Sequence, residues 1–150
     1  KFYDLGPFKE KQEAVELINQ DIQRYHDKES IRWVVKDKDS GAFLGGCGIN
    51  RWQSHNHCTV ISYEFGRQAW GKGVATEAVG EMVNFIFSEL CPFYTNRIEA
   101  HVMIGNAASE KVLKKLGFEQ EGILRDYGHW KGGYHDIKLF SLLRTRSKAN

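Results

Sequence analysis

The chain has 150 residues, 41% of them hydrophobic and 27% charged, which is typical of one soluble globular domain with its own core. Its formal net charge of +2 is small and spread along the chain, which argues against a nucleic-acid or anionic-membrane surface but allows a local anion site. No apolar run reaches the roughly 18 residues of a membrane-spanning helix, and no signal peptide is evident.

The first half of the chain predicts a helix followed by three strands. Residues 9–25 place apolar side chains at helical spacing, opposite a face of Glu and Gln: Ala14, Val15, Ile18, Ile22 and Tyr25. Runs rich in β-branched and aromatic residues predict strands at 31–37, 42–52 and 57–65, separated by turns at 38–41 and 53–56.

The second half alternates helices and strands. Residues 74–90 are apolar all round, which predicts a deeply packed helix, and residues 97–103 form a strand. Residues 106–117 predict a short helix that Asn106 caps and Gly117 ends. Strands at 118–130 and 134–146 flank a "KGG" turn. The order α-β-β-β-α-β-α-β-β predicts an α+β fold with a mixed sheet.

The stretch "RQAWGKGVATEA" lies between the third strand and the second helix. A helix N-terminus presents unpaired N–H groups and the positive end of the helix dipole, and Gly71 and Gly73 remove the Cβ atoms that would keep phosphate oxygens away. Thr76 can add a hydroxyl. The stretch therefore predicts a phosphate or pyrophosphate site, with a tight turn that binds no ligand as the alternative.

Two other phosphate motifs do not fit this stretch. A Walker A loop ends in Gly-Lys-[Ser/Thr], whereas Lys72 is followed by Gly73. A dinucleotide G-x-G-x-x-G would need glycine at position 76, where the chain has Thr76.

The segment "QAWGKG" at 68–73 resembles the [QR]-x-x-G-x-[GA] acetyl-CoA motif of the GNAT N-acetyltransferase superfamily. "WGKGVATEA" is similar to the ribosomal-protein (Rim-type) branch, as are "NAASEKVLKKLGFEQEG" at 106–122, "RIEAHV" and "GYHDIKLFSLL". The resemblance covers roughly residues 31–146 in the expected order. It implies one domain over 1–150, with a mostly antiparallel sheet splayed at the cofactor cleft and helices on both faces. The strand and helix that open the family pattern are not found, so we expect them to be missing from this sequence.

The resemblance also implies acetyl-CoA as cosubstrate and a set of residues that bind it. Backbone N–H groups would cradle the pyrophosphate over one continuous run: Gln68, Ala69, Trp70, Gly71, Lys72, Gly73, Val74, Ala75 and Thr76. The main chain from Tyr63 to Phe65 would pair with the pantetheine arm like an added strand. Asn106 would hydrogen-bond the pantetheine, and Ser109 would lie near the sulfur.

Acetyl transfer to an amine needs a base for the ammonium, a donor for the oxyanion and an acid for the thiolate. Glu64 is the first candidate for the base, with a solvated carboxylate as the alternative. Glu99 is its rival, with a pairing to a nearby Arg or Lys as the alternative. Ser109 could protonate the thiolate or could only bond the backbone of Asn106. A backbone N–H between Tyr63 and Phe65 is the candidate oxyanion donor.

The sequence thus predicts an acetyl-CoA-dependent N-acetyltransferase whose acceptor is a primary amine, with the N-terminal amine of a ribosomal or other protein favoured. A small-molecule amine (polyamine, amino acid or antibiotic) and a non-catalytic acyl-CoA sensor are the alternatives. Cys47, Cys58 and Cys91 are odd in number and lack CxxC spacing, which indicates free thiols in the cytoplasm. The disfavoured alternative is a Cys47–Cys58 disulfide. We expect no metal, nucleic-acid or membrane partner.

Overall fold

The order of helices and strands in a computed structural model of the protein is the predicted one as far as the last strand, which a short helix follows. The structure describes residues 10–147. Its elements in chain order are α1 (Lys11–His26), β1 (Ile31–Lys36), β2 (Phe43–Gln53), β3 (Cys58–Phe65), α2 (Val74–Phe87), β4 (Arg97–Met103), α3 (Ala107–Lys115), β5 (Glu119–Trp130), β6 (Gly133–Leu143) and the short α4 (Arg144–Ser147). The predicted start of the first helix, at residue 9, lies outside the described residues. No helix between residues 10 and 147 is long and apolar enough to cross a membrane.

The six strands form one mixed sheet in the order β1-β2-β3-β4-β6-β5. Every neighbouring pair is antiparallel except β3 and β4, which run parallel. That parallel pairing joins Cys58–Ile61 only to Arg97–Ala100. Beyond it β3 stays paired with β2 as far as Phe65, and β4 stays paired with β6 as far as Met103. The sheet therefore splays open between residues 62–65 and residues 101–103, as predicted.

The core lies between one face of this sheet and the helices α2 and α3. Alternate residues of a strand share a face, and the strands contribute Ile49, Ile61, Ile98, Ala100 and Phe140 to this cluster. The helices contribute Val79, Met82, Val83, Ile86 and Leu113. Each such large side chain stabilises the fold by roughly 1.5–3 kcal/mol when it is fully buried. This packing holds the start of α2 beside the splayed ends of β3 and β4.

Helix α2 is less completely packed than its sequence predicts. Glu77, Glu81 and Asn84 are exposed, and they form one polar stripe because they lie three or four residues apart. The helix also ends at Phe87 rather than at the predicted residue 90. Just after this end, the Ser88 hydroxyl donates to the Phe85 carbonyl at 2.7 Å. The sequence analysis overlooked this polar stripe because apolar residues surround it in the sequence.

Helix α1 ends at His26, one residue beyond its predicted end, but its apolar stripe is not buried by the described residues. Val15, Ile18, Ile22 and Tyr25 are all exposed, with Ile18 at 57%. The half-buried positions are Ala14, Leu17, Asp21 and Arg24, which lie along another side of the helix. The Arg24 guanidinium attaches the helix to the sheet by donating to the Asn50 carbonyl at 2.5 Å.

For the last strand, predicted at 134–146, the predicted C-terminal end is wrong. The strand stops at Leu143, and Arg144 begins a helical turn. The Arg144 guanidinium donates to the carbonyls of Thr95 and Phe87, each at 2.7 Å. These bonds draw the chain away from the sheet and tie it to the connection between α2 and β4.

Candidate active site

The glycine loop before α2 presents bare backbone, as the sequence predicts. Gly71 and Gly73 have φ angles of +72° and +80°, in the left-handed region that favours glycine, and Gly73 is the N-cap of α2. A Cβ built on either glycine meets no described atom within 4 Å. The N–H of Trp70 bonds to the Arg67 carbonyl, and the next bonded N–H among the described residues is that of Glu77. Among the described residues the N–H groups from 71 to 76 thus make no backbone hydrogen bond that would compete with the oxygens of a diphosphate.

Three of the predicted cofactor-binding residues hold this loop against the sheet with their side chains. Gln68 donates to the Phe43 carbonyl at 3.0 Å, and the Trp70 indole donates to the Phe65 carbonyl at 2.9 Å. Ala69 between them is buried, at 4% exposure. These contacts fix the position of Gly71 and Gly73 relative to the open end of β3.

The splay leaves the β4-facing edge of residues 62–65 without a strand partner in the described chain. An extended ligand can add to such an edge through main-chain hydrogen bonds. Side chains alternate along this segment. Tyr63 and Phe65 pack with the core on the helix side of the sheet, so Ser62 and Glu64 lie on the opposite side.

On the helix side, two hydroxyl groups meet beside the opening. The Tyr63 hydroxyl is 2.5 Å from the Ser109 Oγ. The Asn106 side-chain oxygen accepts from the Ser109 N–H at 3.3 Å, so the predicted N-cap is confirmed. Burial raises the pKa of Tyr63 to about 12 although the Ser109 hydrogen bond opposes that shift, so the phenol is neutral at physiological pH. The pair is therefore uncharged at rest and holds a proton that it could give to an acceptor beside the opening.

On the opposite side, both candidate carboxylates have an arginine partner. Glu64 is ion-paired with Arg32, which also donates to the Ser62 Oγ at 2.9 Å. The Glu99 Oε1 accepts from the Arg97 Nε at 2.7 Å, so the Arg pairing left open for Glu99 is present. Arg97 also makes a two-pronged bond to Glu121, and this bond is the main cause of its raised pKa. Glu64 beside the opening and Glu99 on the same face of the sheet thus each hold a guanidinium.

Residues 2–119 match the family described as acetyltransferase (GNAT) domain. The chain belongs to the GNAT family. It is an N-acetyltransferase with the GNAT fold, and the predicted family and fold class are confirmed.

Relatives of this GNAT domain carry N-acetyltransferase names. The uncharacterized N-acetyltransferase p20 of Bacillus licheniformis is 35% identical over 96% of this chain and 79% of its own length. The [ribosomal protein uS5]-alanine N-acetyltransferase of Escherichia coli is 32% identical over 81% of this chain and 62% of its own length. The spermidine N-acetyltransferase of Vibrio cholerae, solved with CoA and spermine, superposes with a TM-score of 0.80 at 22% identity, over 97% of this chain and 82% of its own. At that identity the last likeness shows the fold alone.

In this N-acetyltransferase the sequence analysis missed two side chains at the opening. Tyr63 was predicted to act only through its main chain, yet its hydroxyl touches Ser109. His101 was not considered, yet it follows the last β4 residue that pairs with β3. Neither has a local signal, because both depend on how separate elements are placed in three dimensions.

The thiols and the remaining ligand chemistry complete the description of this GNAT domain. All three cysteines are free, as predicted, and Cys47 and Cys58 pair with other residues in the β2–β3 register, Tyr63 and Gln53. Burial raises the pKa of Cys58 to about 11, so its thiol is unreactive at neutral pH. Within the described part of the chain, no three His, Cys, Asp or Glu side chains are grouped as a metal site requires.

Proposed function

We propose that this protein transfers the acetyl group of acetyl-CoA to a primary amine, with the N-terminal α-amine of a ribosomal or other protein as the preferred acceptor. One observation carries the proposal. The unpaired edge of residues 62–65 leads to a loop in which Gly71 and Gly73 carry no Cβ and the N–H groups of residues 71–76 make no backbone hydrogen bond within the described chain. A carrier with an extended arm and a diphosphate matches that combination of strand edge and helix N-terminus.

Acetyl-CoA would be held mainly by backbone. The N–H groups from Gly71 to Thr76 would bond the diphosphate, and the edge from Tyr63 to Phe65 would bond the pantetheine amides. The Asn106 oxygen already caps α3, so its side-chain NH₂ group is the part left for the pantetheine. The cofactor, when bound, supplies an activated acetyl group as a thioester.

The two faces of the opening divide the proton transfers. Ser109 and Tyr63 lie on the helix side and would protonate the departing thiolate. Glu64 and Glu99 lie on the other side, where the amine would approach and lose its proton, and they are the candidate bases. A backbone N–H of the Tyr63–Phe65 segment would stabilise the oxyanion. The amine nitrogen forms the new C–N bond as the C–S bond breaks.

An N-terminal amine suits the charges at the opening better than a polyamine does. A polyamine carries several ammonium groups and needs several uncompensated carboxylates, whereas Glu64 and Glu99 each already contact an arginine. An α-ammonium brings a single charge. The relative from Escherichia coli, named for alanine acetylation of ribosomal protein uS5, also supports a protein acceptor. We place the reaction in the cytoplasm, where acetyl-CoA would meet such acceptors and free thiols persist.

The test is a thiol-release assay with acetyl-CoA and a panel of amines. The panel contains peptides that differ in their N-terminal residue, spermidine, an amino acid and an aminoglycoside. We expect peptides with a free α-amine to give the highest kcat/KM, and N-acetylated versions of the same peptides to give none. Binding of CoA without turnover on any amine would instead support the acyl-CoA sensor. Faster turnover of spermidine than of every peptide would support the polyamine alternative.

A further inference from the structure

His101 occupies the first position of β4 that has no partner on β3. The pairing of these strands ends at Ile61 and Ala100, and His101 follows. Ala100 packs in the core, so strand alternation turns His101 to the opposite face, which it shares with Glu99. By the same alternation Glu64 lies on this face from the β3 side. The imidazole therefore borders the opening on the side from which the amine would approach.

The surroundings of His101 suit a group that gains and loses a proton. Its Nε2 lies 3.8 Å from the Glu99 Oε2, and its ring meets the edge of Tyr127 at 5.1 Å between centroids. Arg51 on β2 is the cation near it, and its cross-strand neighbour on β6 is the apolar Leu139. The side chain keeps 20% of its surface exposed, so protons can still exchange with solvent.

The carboxylates on this face are less suited to accept the proton. Glu64 and Glu99 each hold a guanidinium by a charge-assisted hydrogen bond, and protonation would cost that bond. Among residues 10–147, by contrast, the His101 ring makes no hydrogen bond that it would have to give up. Burial, partly offset by Glu99 and reinforced by Arg51, lowers the pKa of His101, so its imidazole is neutral at neutral pH.

We propose that His101 is the general base of the acetyl transfer and that Glu99 is a positioning residue that stabilises its imidazolium. This inference rests on the proposed function. The neutral imidazole takes one proton from the acceptor ammonium, and the freed nitrogen lone pair forms the C–N bond. As the C–S bond breaks, the attacking nitrogen releases its second proton to solvent and becomes a neutral amide. The thiolate takes a proton from the hydroxyl pair of Ser109 and Tyr63, and solvent returns that proton to the pair. The imidazolium then loses its proton to solvent.

The assignment also favours one class of amine. An α-ammonium has a pKa of about 7.7–8.0, whereas an alkylammonium of the lysine type has about 10.4. Proton transfer to an imidazole is therefore more uphill for the alkylammonium by more than two pKa units, and each unit is about a tenfold penalty. A histidine base with a lowered pKa suits α-amines over polyamines.

The experiment is the pH dependence of kcat between about pH 5 and 9, with acetyl-CoA and the best peptide both saturating. The variants are His101→Gln, Glu99→Gln and, as the matched control, His55→Gln in the exposed turn at the far end of β3. We expect wild-type kcat to fall as pH drops below about 6.5, the ordinary histidine value. His101→Gln should lower kcat about a hundredfold and abolish that fall, while its affinity for CoA stays unchanged.

The control and the carboxylate variant sharpen the result. His55→Gln should follow the wild-type profile. Because Glu99 raises the pKa of His101, Glu99→Gln should move the acid limb to lower pH. An NMR titration of the His101 ring in the unliganded enzyme should show the same displacement without any dependence on turnover.

Four outcomes would overturn the inference. An acid limb that persists in His101→Gln would show that another group is the base. A limb that disappears in Glu99→Gln but persists in His101→Gln would assign the proton to the carboxylate. Wild-type enzyme that turns over no amine would remove the proposed function itself, whereas active wild type with an equally active His101→Gln would remove only this inference.

Discussion

The two sides of the sheet opening present different chemical groups. The side that we propose for the cofactor presents mainly backbone: the N–H groups from Gly71 to Thr76 and the bare edge of β3. The side that we propose for the acceptor presents side chains from several strands, such as Arg32, Glu64 and His101. A backbone site can serve every member of a fold family, whereas a side-chain site can change with the acceptor. The four predictions below test this division, in order of expected effect.

The largest effect should come from adding a side chain to the glycine loop that we propose binds the diphosphate. Gly73→Val adds a branched side chain beside the open N–H groups, so we expect the affinity for CoA to fall about a hundredfold or more, which is roughly 2.7 kcal/mol. Calorimetry with CoA measures it. Gly132→Val is the matched control, because Gly132 has a φ angle of +79° against +80° and equally open surroundings.

Both glycine variants should lose roughly 1–3 kcal/mol of unfolding free energy through backbone strain. Only Gly73→Val should lose affinity for CoA. Equal CoA affinities in the two variants would show that this loop does not bind the diphosphate. They would also contradict the proposal that CoA is bound mainly by backbone groups.

The next largest effect should come from the hydroxyl pair on the helix side. Tyr63→Phe and Ser109→Ala should each lower kcat about ten- to a hundredfold, since each removes one partner of the proposed proton donor. CoA affinity should change little, because the backbone contacts remain. The double variant should be no slower than the slower single variant, because groups that act as a unit are not additive. Additive losses would indicate two independent roles.

A smaller effect should follow from displacing Glu64 without removing it. A Cβ on Gly46 would lie 2.8 Å from the Glu64 Oε1, so Gly46→Ala should push the carboxylate aside. We expect the KM for the peptide to rise about threefold, a loss of less than 1 kcal/mol, at unchanged CoA affinity. Gly122→Ala, where the added atom meets open space, is the control. A change in CoA affinity alone would place Glu64 on the cofactor side.

The smallest effect concerns stability against pH. The pKa of His101 is lowered in the folded protein, so the folded state binds fewer protons than the unfolded chain below about pH 6.5. Wild type should therefore lose stability as pH falls through 6.5 toward the lower folded pKa. His101→Gln should lose less over the same interval. Urea unfolding at pH 7.5 and pH 5 measures the loss of unfolding free energy in each protein. An identical loss in wild type and His101→Gln would contradict the burial of a neutral imidazole.

The sequence by itself determined the element order, the fold class and the glycine loop. These follow from short-range signals, since hydrophobic spacing sets each element and a positive φ favours glycine where it stands. The family resemblance added the splay between β3 and β4, which depends on strands that are far apart in the chain.

Only the tertiary structure decided the side chains of the opening. The contact of Tyr63 with Ser109 spans 46 residues, and that of Arg32 with Glu64 spans 32. Such contacts depend on the register and face of each strand, and a shift of one residue would turn every side chain to the other face. The half-buried side of α1 and the end of β6 also depend on distant contacts, the bonds of Arg24 and Arg144 to carbonyls far along the chain.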